Sequence, residues 1–140
     1  MIALSTPGED HLWAAFTLEH LWYSIGPVLR RRHLATQADE QMHVFQDNIV
    51  CLQANDTRCL VQAGWELWDG GTLVAAPVLC WILTPNRVVY TLPGGRIESY
   101  DFEVKRLVAE DSRLIGASDP RILYTHHGYR WQNGLPAAVL

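Results

Sequence analysis

The sequence predicts an α+β fold in which an N-terminal helix, or two, packs on a curved antiparallel β-meander of about five to seven strands. Three observations support this fold class. Apolar residues near the N-terminus recur at helical spacing, short β-prone runs follow from His43 onward, and tight-turn residues separate those runs. The 140 residues are 49% hydrophobic and 19% charged, which suits one domain over residues 1–140 with a substantial core.

The first predicted helix begins at Thr6-Pro7-Gly8-Glu9, which matches a capping box with proline at the first helical position. Leu12, Phe16 and Trp22 then lie close to one helical face. Gly26-Pro27 is expected to end this helix, because proline cannot continue the backbone hydrogen-bond ladder.

A second helix is expected from Pro27 to about Met42, starting again at a proline. Arg30, Arg31 and Arg32 would form a basic patch on its exposed side. The patch is interpreted as a solvated helix face, with an anion or partner contact as the alternative.

The chain from His43 onward reads as consecutive strands. The run from Thr72 to Thr84 is expected to be one central strand with Pro77 at a bulge or an edge, because proline donates no ladder hydrogen bond. Residues 111–120 read as a polar loop. No internal repeat is visible. Turn signals separate the strands at Asn55-Asp56, Asp69-Gly70-Gly71, Pro85-Asn86 and Pro93-Gly94-Gly95.

Acid–base chemistry would need a carboxylate or histidine held in a pocket, and three residues are weak candidates. Glu66 should share a strand face with Trp68, where an indole could raise the pKa of the carboxyl group. Asp101 lies between two aromatic residues, and His126 is expected at a strand end. The alternative, favoured for each, is an ordinary exposed or core side chain. No nucleophile elbow, phosphate loop or zinc-ligand spacing occurs, so no catalytic set, metal or cofactor is expected.

Six tryptophans are the unusual feature of the composition. They are expected mainly to fill the core, and the alternative is an aromatic-lined pocket or a partner surface. The candidate binding residues are Trp65, Trp68, Trp81, Tyr90, Trp131, Arg30, Arg31 and Arg32.

Two partial family resemblances follow from these patterns. The segments Leu83–Tyr90 and Gly94–Ile97, which read LTPNRVVY and GGRI, resemble hairpins of bacterial pleckstrin-homology-like domains. That family's closing C-terminal helix has no counterpart, so the resemblance implies no site residue. The order of helices followed by a meander is similar to NTF2-like cone folds, which often enclose an aromatic-lined pocket. Fold alone does not assign an activity.

The sequence favours a non-enzymatic binding protein that acts through a protein partner, with a homodimer through an exposed sheet face as one form of that contact. The alternative is an NTF2-like small-molecule binder or pocket enzyme that uses the candidate residues above. The net charge of −4 disfavours nucleic acid as a partner, which leaves a sequence-specific regulator using the three arginines as a weaker hypothesis. Without a signal peptide or a membrane-spanning apolar run, and with three cysteines, a cytoplasmic location without membrane contact is expected.

Overall fold

The computed structural model describes residues 12–126 and 138–139, and within them every regular element is a β-strand. The chain divides into two compact units, Met1–Ala76 and Pro77–Leu140. The predicted α+β class is therefore wrong, because the described residues contain no helix. The prediction of one domain over residues 1–140 stays a prediction.

Unit 1 holds two four-stranded antiparallel sheets, each a meander in sequence order. The first sheet consists of β1 (Leu12–Phe16), β2 (His20–Ile25), β3 (Val28–His33) and β4 (Asp39–Val44). The second sheet consists of β5 (Ile49–Ala54), β6 (Cys59–Ala63), β7 (Glu66–Asp69) and β8 (Thr72–Ala75).

Unit 2 also holds two antiparallel meanders, one of four strands and one of three. Its first sheet consists of β9 (Cys80–Leu83), β10 (Val88–Leu92), β11 (Arg96–Tyr100) and β12 (Lys105–Ala109). Its second sheet consists of β13 (Ser112–Ala117), β14 (Ile122–His126) and the short β15 (Ala138–Val139). A four-stranded meander is also the blade of a β-propeller. The structure thus repeats a strand pattern where the sequence shows no repeat, because the sheets share topology without sharing a motif.

The predicted N-terminal helix is replaced by the β1–β2 hairpin from Leu12 onward, and its capping box lies outside the described residues. Thr17 N–H donates to the His20 carbonyl (3.0 Å), which closes a tight turn in the middle of the expected helix. Leu21 and Tyr23 are buried on one face of β2 while Trp22 lies on the other, so the period is two. Apolar residues at mixed spacings fit either period, and the β-prone aromatic residues favour the strand.

The predicted second helix is also wrong, since its residues form β3 and β4. Gly26, with φ of +57°, is the first residue of a two-residue loop between β2 and β3, a position that favours glycine. The three arginines are therefore on a strand. Arg30 and Arg32 face one side of the sheet and Arg31 the other, instead of forming one patch.

Two further expectations fail for local reasons. The run from Thr72 to Thr84 is two strands, β8 and β9, and Pro77 lies at the boundary between the two units. Residues 111–120 contain the strand β13, in which Ser112 and Leu114 are buried and their neighbours are exposed. A strand with one solvent-exposed face alternates polar with apolar residues, so its polar positions resemble those of a loop.

The predicted tight turns are confirmed. Each of the four turn segments connects two consecutive antiparallel strands, β5–β6, β7–β8, β9–β10 and β10–β11. The strand predicted from Arg121 to Thr125 is confirmed as β14. Local turn chemistry identifies these hairpins, because glycine lacks a Cβ and adopts positive φ freely, and the asparagine side chain hydrogen-bonds to nearby backbone.

Each unit has its own apolar core. In unit 1, Leu29 of the first sheet packs with Ile49, Leu52 and Val61 of the second, and Trp22 packs against this cluster. In unit 2, a separate cluster forms around five fully or largely buried residues, Val89, Ile97, Leu114, Ile122 and Tyr124. No helix in the described residues is long and apolar enough to span a membrane.

Candidate functional site

The candidate site is a cleft at one end of unit 1, where loops of its two sheets meet. Leu18 N–H, in the β1–β2 turn, donates to the Asp56 carbonyl of the β5–β6 turn (2.9 Å), which fixes the two turns relative to each other. Two adjoining hollows of about 440 and 340 Å3 open here. Both are lined by Trp22, Arg31 and Thr57, and we call the pair the Trp22–Arg31 cleft.

Strand register brings these side chains together. In the β2–β3 pair, Trp22 lies opposite Arg31 and His20 lies opposite His33. In the β3–β4 pair, Arg31 lies opposite Glu40. Cross-strand partners share a sheet face, so an aromatic ring, a guanidinium and a carboxylate form one row across three strands.

Arg31 is held in a fixed orientation by two contacts. Its Nε donates to Glu40 Oε1 (2.5 Å), and its Cζ lies 5.4 Å from the centroid of the Trp22 ring, within range of a cation–π contact. Its side chain remains 29% exposed, and its two terminal nitrogens donate to no described residue. The guanidinium is therefore oriented and still has donors available.

Trp22 is also held in place by two contacts. Its Nε1 donates to Thr17 Oγ1 (3.1 Å), and its ring packs against the unit 1 core. An indole held by both a hydrogen bond and core packing loses little side-chain entropy when a ligand binds.

Two histidines extend the row on the same face. The His20 and His33 rings lie 5.0 Å apart and nearly perpendicular, and His20 lies 6.1 Å from Trp22. Burial lowers the pKa of His20, and the charges of Arg31 and His33 lower it further. His33 Nδ1 accepts backbone N–H groups from Ala35 (3.2 Å) and Thr36 (3.3 Å), so a proton of the neutral ring belongs on Nε2.

The second sheet supplies the other wall. Arg58, which directly precedes β6, donates through a terminal nitrogen to Oδ2 of Asp69 at the end of β7 (2.7 Å). Cys59 lines the smaller hollow but is buried, and burial raises the pKa of its thiol far above neutrality. A thiol in that state is a poor nucleophile, so the residue acts as part of the core.

The charges of the cleft are mixed in sign. Glu19, Asp56 and Asp69 line the hollows together with Arg31 and Arg58. A polyphosphate or nucleic-acid backbone would meet carboxylates as well as arginines here, which disfavours a dense polyanion as ligand.

Arg30 and Arg32 lie on the opposite face of the first sheet. Both donate to Asp39, which also accepts the Tyr23 hydroxyl (2.5 Å). The same face carries an apolar row of cross-strand partners, of which Ile25 and Val44 are exposed. The row consists of Leu12, Ile25, Val28 and Val44.

The predicted aromatic binding residues do not all line one site. Trp65 lies in the turn before β7 and is 63% exposed, while Trp68 packs on Phe45 with ring centroids 5.6 Å apart. Trp81 and Tyr90 are buried in unit 2, and the Tyr90 hydroxyl donates to Glu98 (2.9 Å). Trp131 lies outside the described residues.

The three acid–base candidates belong to different elements of the chain. Glu66 begins β7 opposite Ala63, two positions from Trp68 and on the same face. Asp101 is exposed and accepts the backbone N–H groups of Glu103 and Val104, which lowers the pKa of its carboxyl group. His126 ends β14 opposite Ser112. No three potential metal ligands cluster within the described ranges.

Three residues of the cleft, His20, Trp22 and Arg58, were not among the site residues predicted from sequence. Trp22 was predicted to lie on a helix face, where its partner on a neighbouring strand could not be identified. One signal was present: residues 20–23 alternate histidine and tryptophan with leucine and tyrosine, a period-two pattern.

Comparison with known proteins adds information on the fold. No family model and no curated protein matches the chain. A solved S. cerevisiae complex of Dbp5 bound to Nup159 and Gle1 is similar over 70% of this chain and 29% of the other, with 12% identity and a TM-score of 0.56.

Two further solved structures are similar. The computationally designed Ika4 protein matches over 89% of both chains, with 14% identity and a TM-score of 0.59. A chain of the mitotic checkpoint complex matches over 96% of this chain and 54% of its own, with 10% identity and a TM-score of 0.58. This chain thus spans less than a third of the matched chain in the Dbp5 complex and about half of that in the checkpoint complex. At such low identities the likeness concerns the fold alone.

Proposed function

We propose that this is a non-enzymatic binding protein that holds a segment of a protein partner in the Trp22–Arg31 cleft. The proposal depends mainly on one observation: an oriented arginine and an anchored tryptophan share the wall of two adjoining hollows. Arginine and tryptophan are, with tyrosine, the residues enriched at energetically dominant contacts between proteins.

Other properties of the cleft support a binding role. The buried Cys59 thiol is unsuited to nucleophilic chemistry, and the hollows are of a size that accepts a few side chains of a partner. Two of the structural neighbours are chains in complexes, which agrees with a partner protein without identifying one. The cytoplasmic location belongs to this proposal, and the free thiols of Cys51, Cys59 and Cys80 agree with a reducing compartment.

A substitution that fills the cleft tests the proposal. Thr57 is exposed and lines both hollows, so Thr57→Trp should obstruct them without changing any charge. Ser118→Trp introduces the same side chain at an exposed turn position of unit 2 and is the matched control.

The experiment is affinity capture from the native host followed by mass spectrometry, with folding of each variant checked by its thermal transition. The proposal expects a protein that the wild type and Ser118→Trp retain and that folded Thr57→Trp loses. Capture of the same proteins by all three forms, or of none by the wild type, would refute the cleft as the binding site.

A further inference from the structure

The terminal nitrogens of Arg31 remain available as hydrogen-bond donors, so the cleft should prefer a ligand that carries an acceptor. Nε donates to Glu40 and Cζ lies over the Trp22 ring, but the two terminal nitrogens have no partner among the described residues. Both hollows meet at this side chain. We infer that the cleft recognises an acidic segment, in which one Asp or Glu carboxylate accepts hydrogen bonds from the two terminal nitrogens of Arg31. This inference rests on the proposed function and specifies its ligand.

The geometry of Arg31 suits such a contact. A guanidinium and a carboxylate are planar groups that form two parallel hydrogen bonds, and the pair is stronger than a single neutral bond. Arginine normally loses side-chain entropy when it forms this pair. Glu40 and Trp22 already hold the guanidinium, so less of that entropy remains to be lost on binding.

The surrounding charges favour a carboxylate over a phosphate group. Glu19 and Asp56 line the larger hollow together with Arg31, and Asp69 lines the smaller one. A phosphate carries nearly two negative charges at neutral pH and would be repelled by these carboxylates. A carboxylate carries about half that charge, so its repulsion from the same side chains is weaker. Glu40 already balances the charge of the Arg31 guanidinium, so the attraction comes from the two hydrogen bonds that its terminal nitrogens can donate.

An apolar residue should lie beside the acidic one in the segment. Leu18 is 69% exposed at the larger hollow, and the Trp22 ring forms part of the same wall. A large apolar side chain of the ligand that covers Leu18 would remove its own surface and that of Leu18 from water, which is favourable. The expected ligand is therefore an acidic residue with an apolar neighbour.

A random 12-residue peptide library displayed on phage tests this inference, with the full chain as bait. Selected peptides are resynthesised with each Asp or Glu replaced by the amide, and their affinities are measured for wild type, Arg31→Gln and Arg96→Gln. Arg96 is the matched control, because it is an exposed strand arginine that also pairs with a glutamate, Glu98 (3.4 Å).

We expect selected peptides to share an acidic residue beside an apolar one. Replacement of that acid by its amide, or Arg31→Gln in the protein, should each weaken binding by about tenfold or more, because a bidentate charged pair is lost. The two changes together should cost little more than either alone, whereas Arg96→Gln should bind like the wild type.

The outcomes separate this inference from the proposed function. Peptides that Thr57→Trp rejects but that lack an acidic residue, or bind Arg31→Gln equally well, would overturn the carboxylate while keeping the cleft. Selection of phosphate-dependent ligands from a phosphopeptide library, with no acidic peptide bound, would also overturn it. If no selected peptide is sensitive to Thr57→Trp, both proposals fail.

Discussion

Asp39 shows how single residues organise the first sheet. The carboxylate accepts hydrogen bonds from Tyr23 (2.5 Å), Arg30 (3.0 Å) and Arg32 (3.1 Å), which come from two neighbouring strands. Burial disfavours its charged form, but the three hydrogen bonds outweigh that cost and the pKa of Asp39 is lowered. The network thus joins three strands through one acid.

Asp39→Asn should destabilise the protein, because the amide cannot balance two guanidinium groups. We expect the free energy of unfolding to fall by about 1–2 kcal/mol, a modest value because the cluster is partly exposed to water. Chemical denaturation at neutral pH measures this. Glu40→Gln is the comparison, since Glu40 is more exposed and should matter less; an equal or larger loss there would contradict the account.

The lowered pKa of Asp39 predicts that the stability of the protein decreases in acid. The folded pKa is lower than the unfolded one, so the contribution of Asp39 is complete above the unfolded value of about 3.9 and is lost as pH falls through the folded value. In thermal melts below pH 4, the wild type should lose more stability than Asp39→Asn. Parallel curves for the two proteins would contradict this prediction.

The lowered pKa of His20 predicts a second effect of pH on stability, nearer to neutral pH. Burial, Arg31 and His33 lower its folded pKa below the ordinary value of about 6.5. The unfolded chain therefore binds the proton more readily, and stability should decrease as pH falls from about 6.5 towards the folded pKa. Thermal melts between pH 7.5 and 5 measure this decrease, and His20→Gln should reduce it. An unchanged slope in the variant would contradict the assigned environment.

At the scale of elements, the turns could be predicted from sequence and the first hairpin could not. Gly94 and Gly95 have φ of +83° and +72°, a conformation that glycine adopts without strain, so the turn signal is local. The β1–β2 loop contains no glycine, proline or asparagine, and Leu12 and Trp22 fit a helix face equally well. Packing of Trp22 against the second sheet decides between the two, and no short window of sequence contains that information.

Gly95 should be more sensitive to substitution than its neighbour. A Cβ at Gly95 would lie 2.7 Å from Ser112 N and 2.9 Å from Ser112 O, whereas a Cβ at Gly94 meets nothing within 4 Å. Both positions carry the backbone cost of a positive φ, so the pair isolates the steric clash. Gly95→Ala should lower the free energy of unfolding by at least about 1 kcal/mol more than Gly94→Ala does, as measured by denaturation. Equal losses would contradict the close approach of Gly95 to Ser112.

At the scale of the whole molecule, the described chain repeats one supersecondary motif, the antiparallel meander, in each of two compact units. Consecutive antiparallel strands were predicted from sequence, but in one curved sheet under a helix. The division into separate sheets depends on which faces stack, as in the cluster of Leu29, Ile49 and Val61. Alternating burial along one strand does not specify the sheet that covers it.

The candidate site could be predicted only in part for the same reason. Arg31 was identified as a binding residue from its type, but its partner Trp22 lies nine positions away and becomes a neighbour only through the β2–β3 register. A helix over residues 12–25 would place the same two side chains in unrelated positions. The cleft is thus a consequence of strand pairing and not of a sequence motif.

The most direct test of the account is the β2–β3 register in solution, because the cleft exists only if Trp22 and Arg31 are cross-strand partners. Nuclear Overhauser contacts between backbone protons of an isotope-labelled full chain measure it. The account predicts contacts between the strands at Trp22 with Arg31 and at His20 with His33, and no i to i+3 contacts along residues 12–25. Sequential helical contacts through that segment, or a register shifted by one residue, would contradict it.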